Sequence, residues 1–540
     1  MRTGLIMAAV LTWVTTCCSF AAAHGNSAPI VPQGWGLEGT RVFPAQQPPL
    51  PPPFTAGSAF REPPVVRSSN GRLRVTIVAR NGTIEVSGVP LHGMQTYGVG
   101  SVARGLLGPT LRVQPGDVID LVLDNQLTQP PVTAVTTPAA VDPMRHDECA
   151  HDTKIPPGDP QPTNLHFHGL HVTPRNHKVG DVIYYGDNVL VCLRAGPSRI
   201  RFRIPATHDE GTFWYHAHLH GLTDDQVFRG LAGMLIVGDS RRYLPERFRR
   251  IKTRLLSLKD VQAVNVAGRW AIPTDRDPAT TARTVNGLVQ PRLTIRPRET
   301  QLWRLANSSA DLWYKVALVD GRDASDPLTI VARDGNPLVA PQRMSNALLG
   351  PGQRVDVLLR APQSGTRTLR TLPFNQGGIQ FPGADLATVN VAGPAATTLA
   401  APPPRGKLPT FPAKRGPTRT WRFNFSKKGA VINGKTFRPD RIDARPRLDT
   451  TERWVLLNES TEWHPIHVHQ DDFRVLRING THFKVRSDQD VVALPPAVDG
   501  IPGRVDLDMP FQDYSGNFVL HCHILNHEDG GMMARISVRR

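Results

Sequence analysis

Four short segments hold the residues best able to do chemistry. They are His166-Phe167-His168-Gly169, His216-Ala217-His218, His464-Pro465-Ile466-His467-Val468-His469, and His521-Cys522-His523 followed by His527 and Met532. With 19 His in 540 residues, chance supplies about 0.7 His-x-His pairs. Five occur, so the clustering has a cause. On a strand, residues i and i+2 project from one face, and each pair therefore aims two imidazoles at a common point. Neutral imidazole is the commonest metal ligand, and four such pairs can converge on one metal cluster. The same parity turns Cys522 away from His521 and His523, and turns His464, three residues before His467, away from that ring. Two metal sites, back to back, are expected.

Two His, one thiolate and a weak axial Met make a blue-copper electron-transfer site. His464, Cys522, His527 and Met532 supply that set, with Met533 as the alternative axial group. Zinc is the main competitor, but a zinc site is a single tetrahedron that this inventory overfills.

The four segments, in this order, resemble the signature loops of the multicopper oxidases, the laccase-like family of tandem cupredoxin domains. The resemblance continues through Gly211-Thr212-Phe213-Trp214-Tyr215-His216 and Gly230-Leu231-Ala232-Gly233-Met234-Leu235, and covers nearly the whole chain after a Pro-rich arm. It implies four coppers per chain. The type 2 copper falls to His166 and His467. The two type 3 coppers fall to His168, His216, His218, His469, His521 and His523, and the type 1 copper to His464, Cys522, His527 and Met532. It also places Glu528 and Asp187 where relatives carry proton-relay acids, a role that the four protons consumed in reducing dioxygen to water would need; the alternative for both is an ordinary surface carboxylate. His220 lies on the same strand face as His218, but eight imidazoles already complete the implied pattern. It is read, with His171 and His177, as a supporting or packing residue.

The resulting reading is an oxidase that takes single electrons from a small reductant at the type 1 site and reduces dioxygen to water at the three-copper cluster. Phenols and aryl amines suit such a site. With 9 Met and no Met-rich insert, a dedicated cuprous oxidase is disfavoured, while Glu462, Asp471 and Asp472 keep ferrous or manganous oxidation open. A copper-sequestering or electron-carrier protein would not need the eight further His. A copper nitrite reductase resembles a shorter, two-domain chain.

The elements that must hold these residues are strands. Signals recur at Arg72 to Ala79, Asp117 to Asp124, Arg199 to Ile204, Gly233 to Val237, Leu293 to Arg296, Val355 to Arg360, Arg419 to Asn424 and Arg453 to Leu457. A strand-turn-strand pattern closing on Asn recurs three times, at Asn125, Asn307 and, less perfectly, Asn458. The fold class expected is all-β: three tandem cupredoxin-like Greek-key β-sandwich domains. Pro-rich stretches mark the seams, giving a signal peptide (1–23), a Pro-rich arm (24–64), domain 1 (65–245), domain 2 (246–400), a Pro-rich linker (401–417) and domain 3 (418–540). Asn176 to Tyr185 reads as an insertion.

Length and composition agree with three domains of ordinary size. The 50 Pro and 46 Gly favour turns and strands over long helices. A net charge of +17 is spread along the chain without any nucleic-acid motif, so no nucleic-acid partner is expected. The apolar run Leu5 to Val14 and the small residues Ala21-Ala22-Ala23 read as a secretory leader, which predicts export to the periplasm or medium. Val14-Thr15-Thr16-Cys17 is a weak match to a lipid-anchoring signal. No later stretch is long and apolar enough to span a membrane. With Cys17 and Cys18 in the leader and Cys522 at the metal, Cys149 and Cys192 are left to pair in an exported protein.

Overall fold

The computed structural model describes residues 53–540 apart from 101–104, 131–154, 240–242, 274–275, 277–280 and 405–406. The leader, most of the Pro-rich arm and Cys149 lie outside the described residues. Cys192 is disulfide-bonded.

Strand Val118–Gln126 shows how the sheets arise. Its residues alternate strictly between more and less buried, and Ile119, Leu121 and Leu123 turn one face into a core. It pairs in parallel with Arg72–Val86 and antiparallel with Gly196–Arg203. The same triplet occurs twice more. Thr300–Asn307 lies between Thr253–Val261 (parallel) and Arg354–Arg360 (antiparallel). Thr450–Asn458 lies between Arg415–Ser426 (parallel) and Gly503–Phe511 (antiparallel). A parallel pair cannot be joined by a hairpin, and each time the chain crosses to an opposing sheet in between. There Thr110–Val113 runs beside Ala232–Val237, Arg292–Ile295 beside Ala384–Val391, and Ala444 and Arg447 make parallel bridges to the closing strand of the chain. The third crossing is two bridges rather than a full ladder, which explains the weaker third copy of the sequence pattern.

The three asparagines do the same work. Asn125 donates its amide to Gln161 O and Leu193 O and accepts Leu127 N–H. Asn307 donates to Leu312 O and Leu349 O and accepts Ser309 N–H. Asn458 donates to Glu462 O and Pro495 O and accepts Ser460 N–H. Each pins the loop that leaves the central strand, so buried carbonyls there stay satisfied.

Three sandwiches result, each with its own apolar core: one around Leu121, Phe167 and Leu235, one around Trp303, Trp313 and Leu318, and one around Trp454, Ile466 and Leu520. The expected insertion is a hairpin, His177–Val179 with Val182–Tyr185, added to the edge of the first sandwich. Strand Arg415–Ser426 begins inside the stretch read as linker, and its register shifts between Arg415 and Thr418. That irregularity accommodates Pro417, which has no N–H for a ladder. Arm residues also pack: Phe60 N–H donates to Arg292 O at 3.1 Å, and Phe54 is buried in a core cluster.

Candidate metal centre

The parity argument is realised at one antiparallel pair. His464–Val468 faces Gly516–Cys522 in the register Ile466 to Cys522 and His467 to His521, so the thiol and the imidazole leave opposite faces. On one side, Cys522 Sγ lies 3.5 Å from His464 Nδ1 and 3.8 Å from His527 Nδ1, and the two ring nitrogens are 3.3 Å apart. His527 rides on the short helix Leu525–Asp529. Cys522 N–H donates to Met532 O at 3.1 Å, and Met532 N–H to His527 O at 2.9 Å. Met532 shares the buried core of Cys522, whereas Met533 packs with Val189, Phe437 and Val519; the geometry brings Met532, not its neighbour, to this side. Ser460 Oγ bonds His464 Nε2 at 2.8 Å and so orients the ring. His464 is buried completely, but the His527 side chain is 14% exposed, with Glu462 Oε2 3.6 Å from its Nε2. His527 is therefore the solvent-facing edge of this group.

On the other side eight rings gather, four from the first sandwich and four from the third. His166 stacks on His469 with centroids 4.1 Å apart, and His168 on His467 at 3.9 Å. His521 Nε2 is 3.2 Å from the Nε2 of both His218 and His469. His216 and His523 close the ring, 5.5 Å apart, with His168 4.9 Å from His523. Burial, reinforced by mutual repulsion, pushes His166, His168, His218, His467, His469 and His523 well below the ordinary imidazole range. Burial also lowers His216 to about 3. These rings are neutral at physiological pH, the form that binds metal.

The donor set fits copper. The Nε2 atoms of His166, His168, His216, His467 and His523 are buried without a hydrogen-bond partner, a costly arrangement unless metal takes their lone pairs. At two of these rings the opposite nitrogen is engaged: His216 Nδ1–H donates to Ala217 O and His467 Nδ1–H to Asp490 O, both at 2.8 Å. Burial raises the Cys522 thiol well above its usual range, so only a bound cation makes it a thiolate.

Both anticipated acids are at the cluster and neither is at the surface. Asp187 is buried, 3.0 Å from His166 Nδ1, accepts Phe167 N–H, and is lifted by burial to about 8. Glu528 is buried completely, with Oε1 3.3 Å from His218 Nδ1 and Oε2 3.2 Å from His521 Nδ1. His220 packs edge-on against Phe437 at 4.9 Å, as expected of a packing residue. Sequence reasoning missed Ser460, four residues before the His464 it orients, and Asp490, Gly352 and Arg354, which reach the ligand rings from more distant parts of the chain.

Three multicopper oxidase family models match residues 154–242, 254–423 and 407–540. The chain belongs to the multicopper oxidase family. As such it is a copper-dependent oxidoreductase that uses dioxygen. It is similar to the multicopper oxidase mco of Staphylococcus haemolyticus, 25% identical over 490 residues that cover 87% of this chain and 90% of that protein. It is 26% identical to a laccase of Bacillus subtilis over 424 residues, 70% of this chain and 79% of the laccase. Among solved structures, a variant of the multicopper oxidase McoA of Aquifex aeolicus superposes with a TM-score of 0.72 at 20% identity, over 90% of this chain and 100% of that one. A metallo-oxidase of Campylobacter jejuni gives 0.69 at 20% identity, over 94% and 99%. The last two likenesses speak to the fold.

In this oxidase the first and third sandwiches are also tied at His171. Its Nε2 is 2.9 Å from Asp513, and its Nδ1 is 2.8 Å from Gln470 O and 3.4 Å from Asp471. Burial opposes a charge on the ring, but Asp513, Asp471 and the carbonyl outweigh it and hold His171 at about 9. A folded-state value above the unfolded one stabilises the fold fully below pH 6.5, and that contribution is lost as the pH rises through 9. The wild type is expected to lose up to about 3 kcal/mol across that window relative to His171→Gln. Denaturant midpoints at pH 6 and pH 9.5 check it; equal losses in both proteins remove the clasp from the account.

Proposed function

We propose that this oxidase couples one-electron oxidation of a small reductant at a type 1 copper to the four-electron reduction of dioxygen to water at a trinuclear copper cluster. One observation carries the reading: His521, Cys522 and His523 are consecutive, with the thiol on one face and both imidazoles on the other. That gives an electron a short bonded path from the Cys522 thiol to the eight-ring cleft. When bound, copper supplies the reversible one-electron chemistry at the first site and the dioxygen reduction at the second. His464, Cys522, His527 and Met532 hold the first, and the eight cluster rings hold the other three ions.

The protein's own groups do the rest. Ser460 and the Asp490 carbonyl fix ring orientations. Glu528 and Asp187, each against a cluster imidazole and shielded from bulk water, are the groups we assign to proton delivery. The reductant meets His527 beside Phe425, whose ring is 5.0 Å away, and Glu462. An aromatic wall suits a phenol or aryl amine. The half-buried carboxylate beside it favours, as the second reading, a metal cation such as Fe(II) or Mn(II). Export, the domain limits given above with the third domain opened at Arg415, and a Cys149–Cys192 disulfide belong to this reading too. Among the described residues no helix is long and apolar enough to cross a membrane.

Reconstituted protein is expected to be blue, to hold four coppers per chain and to consume one dioxygen per four electrons. Metal analysis with oxygen uptake over a panel of phenols, aryl amines, Fe(II), Mn(II) and Cu(I) tests it. One copper per chain after full loading, with no oxygen uptake, would replace the oxidase reading with an electron carrier.

A further inference from the structure

The second sandwich supplies none of the metal-facing rings, yet one of its side chains reaches the cluster. Arg354 opens strand Arg354–Arg360, and its side chain is wholly buried. The guanidinium clasps Asp490 of the third sandwich through two bonds of 2.7 Å. Its Nε donates to Thr212 O of the first sandwich at 3.2 Å, and Nη1 sits 3.2 Å from His168 Nδ1. Asp490 in turn takes the His467 Nδ1–H on its backbone carbonyl.

Two glycines make the space. Gly352 has φ +83°, and a Cβ there would come within 2.6 Å of the His523 ring and 3.0 Å of His168 Nε2. Gly169 has φ +85°, and a Cβ there would fall on the Arg354 guanidinium and the Asp490 carboxylate. The glycine of the first His-x-His segment thus makes room for an ion pair that joins all three sandwiches. A lone buried guanidinium next to bound cations would repel them; Asp490, with Asp334 Oδ1 3.6 Å from Nη1, offsets its charge. A lysine cannot reproduce the planar two-pronged grip.

We propose that Arg354 is a positioning residue for the cluster: through its clasp on Asp490, whose carbonyl takes the His467 Nδ1–H, it fixes the ring of His467, with its guanidinium packed against His168, and so governs copper retention there. This rests on the copper-cluster reading above.

The test compares R354K, D490N and the double variant with wild-type holoenzyme, by copper content during chelator challenge, the type 2 EPR signal, the near-ultraviolet type 3 band and the blue type 1 band. In R354K and D490N, cluster copper is expected to be held about 10- to 100-fold more weakly, in the usual range for losing a partner of a metal-bound ring. The type 2 signal is expected to change while the blue band stays. The double variant is expected to be no worse than the weaker single, because both remove one interaction. D490E, which keeps the charge, is expected to retain more cluster copper than D490N, and carries the test if R354K does not fold. Unaltered type 2 and type 3 signals with normal chelator resistance would overturn the proposal. So would loss of the blue band in step with the cluster, which would mark a general tie between domains. If wild-type protein itself holds one copper, the cluster reading has failed; if it holds four and R354K behaves like it, only the role of Arg354 has failed.

Discussion

Cys522→Ser is expected to give a colourless protein without turnover that still holds its cluster metal. The thiol is the one group on its face that becomes an anion on binding metal, and it faces the Nδ1 atoms of His464 and His527 at 3.5 and 3.8 Å. A serine hydroxyl stays protonated near neutral pH and offers a hard oxygen where a soft thiolate selects copper. The blue absorption should vanish, and oxygen consumption should fall to that of metal-free protein. His521 and His523 point the other way, so copper content is expected to drop from about four to about three per chain, not to zero. The fold should survive: Cys522 is fully buried in the third core, and one hydroxyl left there without a partner costs about 1–3 kcal/mol. Metal analysis, absorption and thermal unfolding on one preparation decide it. A variant that stays blue, or that loses all its copper while folded, sinks the assignment of two sites on opposite faces.

The second large effect is expected at Glu528. Glu528→Gln keeps the size of the side chain and can still contact His218, His521 and the Thr223 hydroxyl, which lies 3.2 Å from Oε1, but it cannot carry a proton. Reduction of the blue site by substrate should be unimpaired, while reoxidation by dioxygen slows by about 10² to 10⁴, the range for loss of a positioned acid. Stopped-flow measurement of the two half-reactions separates these steps. Normal reoxidation would return Glu528 to a purely structural role and leave Asp187, against His166 on the other wall, as the proton donor.

Much of the site could be read from strand parity, because a period of two is a local property. His521, Cys522 and His523 declare two faces without reference to any other part of the chain, and Pro465 does not interrupt the strand that turns His464 away from His467. The three asparagines were equally visible, since each closes the same local pattern. Arg354, Asp490 and Gly352 were not. Nothing near them in sequence distinguishes a buried cluster partner from a surface ion pair or a turn glycine; their meaning lies in contacts across 136 and 186 positions. The acids were located by likeness to relatives, but their full burial could not be read from neighbours such as Asn188 and Asp529. The start of strand Arg415–Ser426 was obscured because Pro417 signals a linker, and only the bulge opposite Thr451 and Arg453 reconciles it with a ladder.

The division of the eight rings between the first and third sandwiches also constrains how the protein is made. His166 leaves the ribosome roughly 350 residues before His521, an interval on the order of half a minute at ordinary synthesis rates. Throughout it, the amino-terminal rings lack their partners from the third sandwich, and a nascent chain can build neither site until His521, Cys522 and His523 have been made. A polypeptide that stops before His521, or whose first and third sandwiches fail to dock, is therefore expected to stay copper-poor, because His166 and His168 find their stacking partners His469 and His467 only across that seam.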